Sequence, residues 1–438
     1  METPKHLLAE KIARRKAKVG VIGLGYVGLP FALETVKAGF ATQGIDLNPQ
    51  RVKAVLEGES YIEDIPAADL RSALSTGLLD ATDNYERIGE LDVIVIAVPT
   101  PLDTRLTPDL TYIRRATEGI AAHLRLGQLI SLESTTYPGT TDEVMLPILE
   151  QSGLVVERDF FLAHSPERVD PGNPKWHTHN TPKVVGGVGP HSTEVATAFY
   201  SQVVETVVPV QSARVAEMTK IFENTFRAVN IGLVNEFLLL ADRMGINFWE
   251  VLDAAFTKPF GIMPFYPGPG VGGHCVPIDP HYLEWKAREY NFPTRFIRTA
   301  GEINRQMPPF VHAKIWRRLN AVGKAPSRSR ILILGVAYKP NVGDLRESPA
   351  LEIIRLLQES GVDVVYHDPF VPHLVANGQT VENVPLTAET LQAVDLAVII
   401  TPHKGIDYRF VAQHAPQVLD TRNVTAPFRA EFDNIFLL

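Results

Sequence analysis

The feature that most constrains the fold of this sequence is a glycine-rich turn that follows its first compact apolar segment. Residues 18–22 form an apolar run, and 23–28 follow with glycine at the first, third and sixth positions. A helical pattern comes next, and a second predicted strand at 41–45 ends in Asp46. Strand, glycine turn, helix, strand and acid in this order predict an open parallel sheet whose first turn binds a dinucleotide.

Each part of this segment has a predicted role toward the dinucleotide. The first glycine makes the tight turn, the second lets the pyrophosphate approach the backbone, and the third lets helix pack on strand. The N-terminus of the helix faces the phosphates. Asp46 is expected to bind the ribose hydroxyls, which favours NAD over NADP because a 2′-phosphate would meet its charge, and Arg51 weakens that preference slightly. The predicted cofactor contacts of the segment are Gly23, Gly25, Tyr26, Val27, Gly28, Asp46 and Arg51.

The alternation of strand and helix patterns predicts the fold class and the domains. We predict an α/β protein with two Rossmann-like, doubly wound domains joined by a long central helix and an all-helical middle segment. The predicted bounds are 1–212 for the dinucleotide-binding domain, 213–322 for the helical domain and 323–438 for the C-terminal domain. The turn at 335–340 lacks the full glycine triplet, so a nucleotide other than a second dinucleotide is expected there.

Composition and charge narrow the partners. A net charge of −8 gives no general attraction for nucleic acid or for an anionic membrane. No apolar run of spanning length and no leader pattern is found, so a cytoplasmic protein is expected. The basic and polar residues 1–17 are predicted to be a short solvated helix or tail. A single cysteine excludes an intramolecular disulfide and a zinc cluster built on cysteines.

That single cysteine, Cys275, lies in the glycine-rich segment 268–279. Glycines at four positions of the segment permit positive φ and leave room for a ligand, so backbone N–H groups are expected to turn toward one. Asp279, four residues after the cysteine, is placed to hold a water or a proton near it. The segment therefore predicts a nucleophilic thiol, and the alternative is a buried structural cysteine in a glycine- and proline-rich loop.

A proline-free helical pattern runs from Ala213 to about Met244, with apolar residues at helical spacing. Lys220 and Asn224 are four residues apart and share one face of this helix, among apolar neighbours. A cation and an amide in such a place need partners. An oxyanion is one such partner, and a salt bridge together with a backbone carbonyl is the alternative.

Polar residues follow three predicted strands at the edge where open parallel sheets bind ligands. Thr100 follows the strand at 92–98, and Thr135 follows 129–132. Both are candidate cofactor contacts, with helix capping as the alternative. Glu167 follows 160–163 and is a candidate acid or base, with a solvated loop acid as the alternative. No metal site is predicted, because His177 and His179 have no further ligand at suitable spacing.

Several motifs together resemble one family over residues 18–423. They are the cysteine loop, residues 217–224 of the long helix, Ser165-Pro166-Glu167-Arg168, and Gly343-Asp344-Leu345-Arg346-Glu347-Ser348. In their order and spacing they resemble the UDP-glucose/GDP-mannose dehydrogenase family. Segments 133–141, 165–173 and 274–279 are most similar to its members that oxidise UDP-N-acetylglucosamine for bacterial surface polysaccharides such as O-antigen.

The resemblance implies that the sugar C6 alcohol is oxidised to a carboxylate by two NAD⁺ in succession. Cys275 would form a thiohemiacetal and then a thioester, and Lys220 and Asn224 would steady the oxyanions. Asp279 would orient a water or assist Lys220, and Glu167 would serve proton transfer in thioester hydrolysis. By the same resemblance Thr135 lies near that water, and Arg346 reaches the nicotinamide side of the cofactor. The implied substrate contacts are Glu167, Arg168, Lys220, Asn224, Gly272, Gly273 and Lys339.

Two departures from the family pattern bear on the substrate. Ile278 stands where the UDP-glucose enzymes usually have lysine, and Pro171 stands where some have a second acid. Both weaken a UDP-glucose assignment and fit a 2-acetamido sugar. UDP-glucose, UDP-N-acetylgalactosamine and UDP-N-acetylmannosamine stay alternative substrates, and a two-electron hydroxyacid-type dehydrogenase or a silent NAD-binding scaffold stay alternative classes. The resemblance also implies a homodimer, or an assembly of dimers, packed through the long helix.

Overall fold

The computed structural model describes residues 3–62, 65–103, 105–170 and 172–438. Pro171, one of the two departures from the family pattern, lies outside the described residues. Contacts between Cα atoms group the chain into two compact units. The first unit holds the chain up to Glu223 together with His281–Phe292, and the second holds Asn224–Pro280 and Pro293–Leu438. The predicted three-domain division stays a prediction beside this grouping.

The first unit contains an eight-stranded sheet in which nearly all neighbouring strands are parallel. Its strands are β1 Val19–Ile22, β2 Thr42–Ile45, β3 Leu79–Thr82, β4 Val93–Ile96, β5 Leu129–Leu132, β6 Phe161–His164, β7 Lys183–Gly187 and β8 Val207–Pro209. They lie in the order β3-β2-β1-β4-β5-β6-β7-β8, and β6 and β7 are antiparallel. The first six have the strand order 3-2-1-4-5-6 of a dinucleotide-binding sheet. The carboxyl ends of β1, β4, β5 and β6 therefore lie along one edge.

Helices flank this sheet, and several begin at residues suited to that position. Asn48 caps the third helix by accepting a hydrogen bond from the N–H of Gln50, and Pro49 occupies its first turn. A π-helical turn at Thr140–Met145 precedes the short sixth helix. The helices are α1 Pro4–Ala13, α2 Gly28–Lys37, α3 Pro49–Glu57, α4 Ala67–Ser75, α5 Thr111–Ala121, α6 Leu146–Leu149 and α7 Pro190–Tyr200.

The prediction of a solvated N-terminal segment was wrong. Leu8 and Ile12 are four residues apart on α1, and both are buried in the cluster that contains Phe31. The helix thus buries a narrow apolar stripe while its basic residues stay at the surface, where Lys11 pairs with Asp92 at 2.7 Å. The basic composition of the segment hid a stripe of only two side chains.

The middle of the chain is helical, as predicted. Its helices are α8 Ala213–Met244, α9 Phe248–Ala255, α10 Asp279–Ala287 and α11 Arg295–Ala321. Within the second unit, the Asn235 amide of α8 donates to Asn304 Oδ1 of α11 at 2.9 Å, and Asn304 donates to the carbonyl of Ala228 at 3.2 Å. In the described part of the chain, no helix combines the length and the apolarity needed to cross a membrane.

The second unit contains a seven-stranded sheet of the same kind, which confirms the predicted α/β class with two doubly wound sheets. Its strands are β9 Arg330–Leu334, β10 Asp363–His367, β11 Leu374–Ala376, β12 Gln379–Asn383, β13 Leu396–Ile399, β14 Val418–Asp420 and β15 Ile435–Leu437. They lie in the order β11-β12-β10-β9-β13-β14-β15, with only β11 and β12 antiparallel. The helices beside it are α12 Pro349–Glu359, α13 Ala388–Gln392 and α14 Tyr408–His414.

Candidate active site

The turn after β1 has the geometry that the glycine pattern predicts. Gly23 has a φ of +94°, and a Cβ there would lie 2.5 Å from the carbonyl oxygen of Ala97. A Cβ on Gly28 would lie 1.8 Å from the carbonyl oxygen of Gly23, whereas one on Gly25 would meet nothing within 4 Å. Packing within the protein thus requires the first and third glycines. Only the second leaves open space, which is where a pyrophosphate would approach the backbone.

Asp46 follows β2 and is buried, and backbone donors fix its carboxylate. Its Oδ2 accepts the N–H of Leu24 at 2.8 Å, and its Oδ1 accepts the N–H of Asn48 at 2.8 Å. Arg51 lies 3.3 Å from Oδ2 and is largely exposed. Oδ1, with one donor, keeps acceptor capacity for a sugar hydroxyl. An open glycine turn at the N-terminus of α2, with a carboxylate after the next strand, therefore fits the adenosine half of NAD.

The polar residues after β4 and β5 lie at the same edge of the sheet. The carbonyl of Thr100 accepts a hydrogen bond from the hydroxyl of Tyr282. Ser134 donates to the carbonyl of Val98 at 2.8 Å and ties the two strand ends together. Thr135 is half-buried at this edge, and its side chain is not needed as a cap for a helix that starts at Thr140. Both threonines stay predicted cofactor contacts.

Glu217 of α8 anchors the loop that carries Thr135, a role that sequence analysis missed. Its carboxylate accepts the N–H of Gly139 at 2.6 Å, the N–H of Thr141 at 2.9 Å and the Thr141 hydroxyl at 2.6 Å. Burial raises the pKa of Glu217 to about 7, although the hydrogen bonds from Thr141 and Gly139 oppose the rise. In the sequence, the available indication of this role was the position of Glu217, a carboxylate three residues before Lys220 on the same helix.

Glu167 is buried beyond the end of β6, not a solvated loop acid. Its Oε2 lies 3.0 Å from the ammonium of Lys183, and its Oε1 accepts the N–H groups of Arg168 and Val169 at 2.9 Å each. Burial alone would raise the pKa of Glu167, but the charges of Lys183 and Lys220 and the hydrogen bond from Val169 hold it below its ordinary value. Glu167 is therefore a carboxylate, which suits a proton acceptor.

Lys183 and Glu133 complete this cluster, and neither was singled out from the sequence. The Lys183 ammonium lies 3.2 Å from Glu133 Oε1, which also accepts the hydroxyl of Tyr200 at 2.9 Å. Burial, with the charge of Glu167, raises the pKa of Glu133 to about 7. Burial and the charges of Lys220 and Lys183 lower the pKa of His164 to about 3, so its imidazole is neutral. In the sequence, Lys183 stands at the start of an apolar strand and Glu133 directly follows another. These two positions were the available indications of a buried charge.

Lys220 and Asn224 are both buried on α8, as their spacing predicts. Within the second unit, the amide of Asn224 donates to Asp279 Oδ2 at 2.6 Å. A carboxylate, not a backbone carbonyl, therefore holds this amide. The second N–H of the amide group is left to act as a donor toward a ligand.

Cys275 is half-buried in a turn that leads into α10. Its carbonyl accepts the N–H groups of Ile278 at 3.1 Å and Asp279 at 2.8 Å. These hydrogen bonds fix the cysteine backbone one helical turn before Asp279. Asp279 also binds Asn224 of α8. Within the second unit, hydrogen bonds thus connect three of the predicted catalytic residues, Asn224, Cys275 and Asp279.

Close packing within the second unit requires two glycines of the cysteine loop. A Cβ on Gly272 would lie 2.7 Å from the carbonyl oxygen of Glu347, and one on Gly273 would lie 2.8 Å from the ring of Tyr338. The N–H of Gly273 donates to the carbonyl of Arg346 at 3.0 Å. This N–H is therefore used within the protein, where the loop packs against the turn at 343–348, and the predicted positive φ is found at Gly270 and Gly273. Gly272 and Gly273 themselves stay predicted substrate contacts.

Arg422 was missed by sequence analysis and lies beside the start of the same loop. A Cβ on Gly268 would meet its guanidinium at 2.4 Å, and its Nε donates to the carbonyl of Ile400 at 3.1 Å. Burial lowers the pKa of Arg422 to about 10.

Arg346 pairs with Asp344 at 2.6 Å, and Lys339 is partly exposed on the turn after β9. The turn between β9 and α12 thus carries two cations.

Metal chemistry has no support among the described residues, which contain no cluster of three or more His, Cys, Asp or Glu side chains suited to an ion. His177 and His179 lie on an exposed loop, with their ring centroids 6.2 Å apart. His179 has only a distant partner, Glu205 at 3.9 Å. The two histidines are a surface pair.

Family models match three consecutive parts of the chain. Residues 17–204 match the NAD binding domain of the UDP-glucose/GDP-mannose dehydrogenase family. Residues 214–306 match its central domain, and 332–427 match its UDP binding domain. These matches confirm the resemblance seen in the motifs, and they confirm NAD as the cofactor.

Individual relatives are similar over most of their length. The UDP-N-acetyl-D-glucosamine 6-dehydrogenase of Pseudomonas aeruginosa is 37% identical over 361 residues, 81% of this chain and 83% of that protein. The UDP-N-acetyl-D-mannosamine dehydrogenase of Pyrococcus horikoshii is 35% identical over 414 residues, 93% and 96% of the two chains. The crystal structure of the NDP-N-acetyl-D-galactosaminuronic acid dehydrogenase of Methanosarcina mazei superposes with a TM-score of 0.83 at 29% identity, covering 100% and 98%. The chain therefore belongs to the UDP-glucose/GDP-mannose dehydrogenase family and is an NAD-dependent nucleotide-sugar dehydrogenase.

Proposed function

We propose that this enzyme oxidises C6 of a UDP-linked 2-acetamido hexose to the uronic acid, with UDP-N-acetylglucosamine as the substrate. The carrying observation is that all three relatives described above are named for N-acetylated sugars, and the glucosamine enzyme shares the highest identity of the three, 37%. Ile278, in place of the lysine usual in UDP-glucose enzymes, supports the same class. UDP-N-acetylmannosamine is the second candidate, because that relative matches over 93% of the chain. The product suits surface-polysaccharide synthesis, including O-antigen, in the cytoplasm.

Cys275 is the proposed nucleophile. NAD supplies the chemistry of accepting a hydride from C6, once for each of the two oxidations. The Cys275 sulfur adds to the C6 aldehyde and forms a thiohemiacetal, which keeps the aldehyde from leaving. Oxidation of that carbon gives a thioester, and water opens it to release the carboxylate and the thiol. The carbon loses four electrons in total, so two molecules of NADH form for each uronic acid.

Lys220 and Asn224 are proposed to stabilise the oxyanions of these intermediates. Fixed donors in a site that excludes water stabilise such charge most effectively. Burial of Lys220 and Asn224, and the 2.6 Å hydrogen bond from Asn224 to Asp279, support this role. Asp279 orients the amide. It is also proposed to orient a water or to assist Lys220.

Glu167 is the proposed base for thioester hydrolysis. Its lowered pKa, to which Lys183 and Lys220 contribute, keeps it ionised at neutral pH. A carboxylate can then take the proton of the attacking water as the carbon–oxygen bond forms. Thr135 is proposed to hold that water.

The remaining predicted contacts divide between cofactor and sugar nucleotide. Arg168, whose guanidinium is fixed by Glu223 at 2.6 Å, and Lys339 are proposed to bind the substrate. Arg422 joins them as a candidate for the diphosphate, because a buried guanidinium beside the cysteine loop suits an anion. The proposed cofactor contacts are Gly23, Gly25, Tyr26, Val27, Gly28, Asp46, Arg51, Thr100, Thr135 and Arg346.

A homodimer packed through α8 is also proposed. Large apolar side chains recur along this helix in steps of three, four or seven residues, and each is at least 40% exposed. An apolar face of this length is unusual on a monomer. We expect Phe222→Glu with Phe237→Glu to halve the mass measured by light scattering after gel filtration. The exposed apolar residues are Val215, Met218, Phe222, Phe226, Leu233, Phe237, Leu240 and Met244.

The experiment that tests the proposed reaction is a substrate panel. Purified enzyme is incubated with NAD⁺ and, in parallel, each of the UDP-linked sugars N-acetylglucosamine, N-acetylmannosamine, N-acetylgalactosamine and glucose. NADH is followed by absorbance and the product is identified by mass. Two NADH per uronic acid, with UDP-N-acetylglucosamine used most efficiently, supports the proposal. One NADH per turnover, or full activity in Cys275→Ser, would refute the thioester mechanism, and preference for another sugar would refute only the substrate.

A further inference from the structure

Three buried charged side chains meet at the carboxyl edge of the first sheet. Glu133 follows β5, Lys183 opens β7, and Glu167 lies beyond β6. The Lys183 ammonium is 3.0 Å from Glu167 Oε2 and 3.2 Å from Glu133 Oε1. The side chains of Glu133, Lys183 and Glu167 are 0%, 5% and 10% exposed. One ammonium therefore bridges two carboxylates inside the protein.

The surroundings hold Lys183 in place. Its ammonium lies 5.3 Å from the ring centroid of Phe31 and 5.4 Å from that of Tyr200. The hydroxyl of Tyr200 binds Glu133 and lies 2.8 Å from Ser131 Oγ. Aromatic faces favour a cation, so the ammonium is fixed from several sides.

The charges of the cluster do not balance when both carboxylates are ionised. A buried charge without compensation is costly, so one carboxyl group is expected to hold a proton. Glu167 accepts two backbone N–H groups and the ammonium, and Lys220 also acts on it. Glu133 is more deeply buried, and its Oε2 has no partner among the described residues. Glu133 is therefore the group that holds the proton.

The other groups facing the cluster leave this assignment unchanged. His164 of β6 is neutral, because burial and the charges of Lys220 and Lys183 lower its pKa to about 3. Burial raises the pKa of Tyr200 of α7 well above its ordinary value, so its hydroxyl stays protonated. Burial alone would lower the pKa of Lys183, but the two glutamates raise it. Among the groups named at this cluster, Glu133 is the one left to ionise near neutral pH, consistent with its pKa of about 7.

We propose that Lys183 and Glu133 are positioning residues for Glu167: Lys183 holds it as a carboxylate, and ionisation of Glu133 draws on the same ammonium and makes Glu167 a stronger base. This inference rests on the proposed role of Glu167 in thioester hydrolysis. The proton on Glu133 is exchanged with solvent, and no covalent bond other than its O–H bond changes. The enzyme thus carries a second titrating group behind its base.

The test is the pH dependence of thioester hydrolysis in the full-length enzyme. Hydrolysis is followed as a single turnover with NAD⁺ and the best sugar nucleotide, in wild type, Glu133→Gln, Lys183→Met and the double variant. In wild type the rate rises through about pH 7 as Glu133 ionises. Glu133→Gln, which is isosteric, loses this rise and keeps the limb at acid pH. Exposed Glu205→Gln is the matched control, and it keeps the wild-type profile.

Lys183→Met is expected to move the acid limb upward by at least about 1 pH unit, because Glu167 loses its nearest cation. In the double variant the acid limb stays where Lys183→Met places it, because Glu133 is already protonated in that pH range, and the rise near neutral pH is absent. A role in folding alone would lower the rate equally at every pH. Retention of the rise near neutral pH in Glu133→Gln, or an unmoved acid limb in Lys183→Met, overturns the proposal.

Infrared spectroscopy of the free enzyme gives a readout that needs no activity. A protonated carboxylic acid has a carbonyl band separate from that of a carboxylate. Glu217 also has a pKa of about 7, so the test is a comparison of the two proteins. Wild type should lose one more such band than Glu133→Gln as pH rises through about 7. If wild type oxidises no sugar nucleotide but shows this titration, the proposed function fails while the cluster behaves as described. If Glu133→Gln loses as many such bands as wild type over this pH range, Glu133 does not hold the proton, whether or not the enzyme is active.

Discussion

In both α/β domains of this chain, the first strand is followed by a glycine with positive φ that packs against a neighbouring strand end. In the first, β1 ends at Gly23, where a Cβ would lie 2.5 Å from the carbonyl oxygen of Ala97. In the second, β9 ends at Gly335, where a Cβ would lie 2.0 Å from the carbonyl oxygen of Thr401. Both glycines have positive φ, +94° and +79°. The first glycine of each turn is thus a requirement of the sheet and carries no information about the ligand.

The domains differ in the chain that comes after that glycine. In the first, α2 begins at Gly28, so its N–H groups face the turn where phosphates bind. In the second, α12 begins only at Pro349, after a long turn that includes buried Ala337 and carries Lys339. Helix-terminal donors serve the first site, while side-chain cations are available to the second. This difference is why only the first turn predicts a dinucleotide.

The acids after the second strands show the same contrast. Asp46 Oδ2 accepts one backbone N–H, whereas Asp368 Oδ2 accepts two, from Val336 at 2.8 Å and Ala337 at 3.1 Å. His403 Nε2 also lies 3.0 Å from Asp368 Oδ2, and the Asp368 side chain is fully buried. An acid at this position can bind a ribose only while it keeps free acceptor capacity. In the second domain the equivalent carboxylate anchors the turn instead.

The largest expected effect comes from Gly28→Ala. Its Cβ would lie 1.8 Å from the backbone oxygen of Gly23, which cannot move without breaking the turn. We expect a loss of more than about 3 kcal/mol of stability in the first domain, and loss of NAD binding. Chemical denaturation and calorimetric titration with NAD measure the two effects.

Two matched variants give the controls for this prediction. Gly25→Ala adds a Cβ with nothing within 4 Å, so it should leave stability unchanged and weaken NAD binding alone. Gly335→Ala clashes in the second domain, so it should destabilise the chain without changing NAD affinity in the fraction that stays folded. Equal NAD affinity in wild type and Gly25→Ala would contradict the role given to the open turn.

The two domains should also respond oppositely to pH. In the first, burial raises the pKa of Glu217 from 4.5 to about 7, so the folded state binds the proton more tightly than the unfolded state. The stability it contributes is full below about pH 4.5 and falls by about 3 kcal/mol as pH rises to 7. Hydrogen exchange at Gly139 and Thr141 should become faster over this range, beyond the intrinsic change.

Asp368 gives the opposite sign in the second domain. Burial alone would raise its pKa, but hydrogen bonds from His403, Val336 and Phe370 hold the pKa below its ordinary value. Its contribution is present above the unfolded value of 3.8 and is lost as pH falls through the folded one. Glu217→Gln should flatten the neutral-pH dependence of exchange at Gly139 and Thr141, while Glu133 keeps its own contribution to the stability of the first domain. A wild-type dependence at these two amides that survives the substitution would contradict the assignment.

Asp46→Asn tests the acids directly. The amide offers one acceptor where the carboxylate receives two backbone N–H groups and a ribose, so we expect KM for NAD to rise about 10- to 100-fold, or about 1.4–2.8 kcal/mol. Asp368→Asn should lower stability and leave KM for NAD unchanged. Steady-state kinetics with NAD as the varied substrate measures both, and a similar rise in KM for both variants would remove the distinction between the domains.

Sequence patterns predicted the parts of the molecule where local chemistry and spacing agree. The turn at 23–28, the position of Asp46 and the limits of α8 follow from glycine spacing and helical periodicity. Very short, poorly buried strands, such as β8 at Val207–Pro209, were missed, because only pairing with β7 identifies them. Tertiary contact, not propensity, makes such segments strands.

The missed site residues share a different cause. Lys183 and Glu133 are fifty residues apart in the sequence, and they meet only because β5, β6 and β7 are neighbours in the sheet. Each alone reads as an ordinary charged residue beside an apolar strand. The cysteine-loop glycines show the reverse case, since a pattern that suits ligand binding also suits close packing, as at Gly273 against Tyr338.

The smallest expected effect comes from the cation beside the first acid. Arg51 lies 3.3 Å from Asp46 but is 44% exposed, so Arg51→Ala should change NAD affinity by less than about 1 kcal/mol. His403 occupies the corresponding place beside Asp368 with no exposure, and His403→Ala should lower stability by more, because it leaves a buried carboxylate with one partner fewer. Binding of NAD and NADP to Arg51→Ala, measured by fluorescence titration, checks the first effect. If NAD affinity falls tenfold or more, Arg51 contributes more than an exposed cation does, and the first acid depends on its cation as much as the second does.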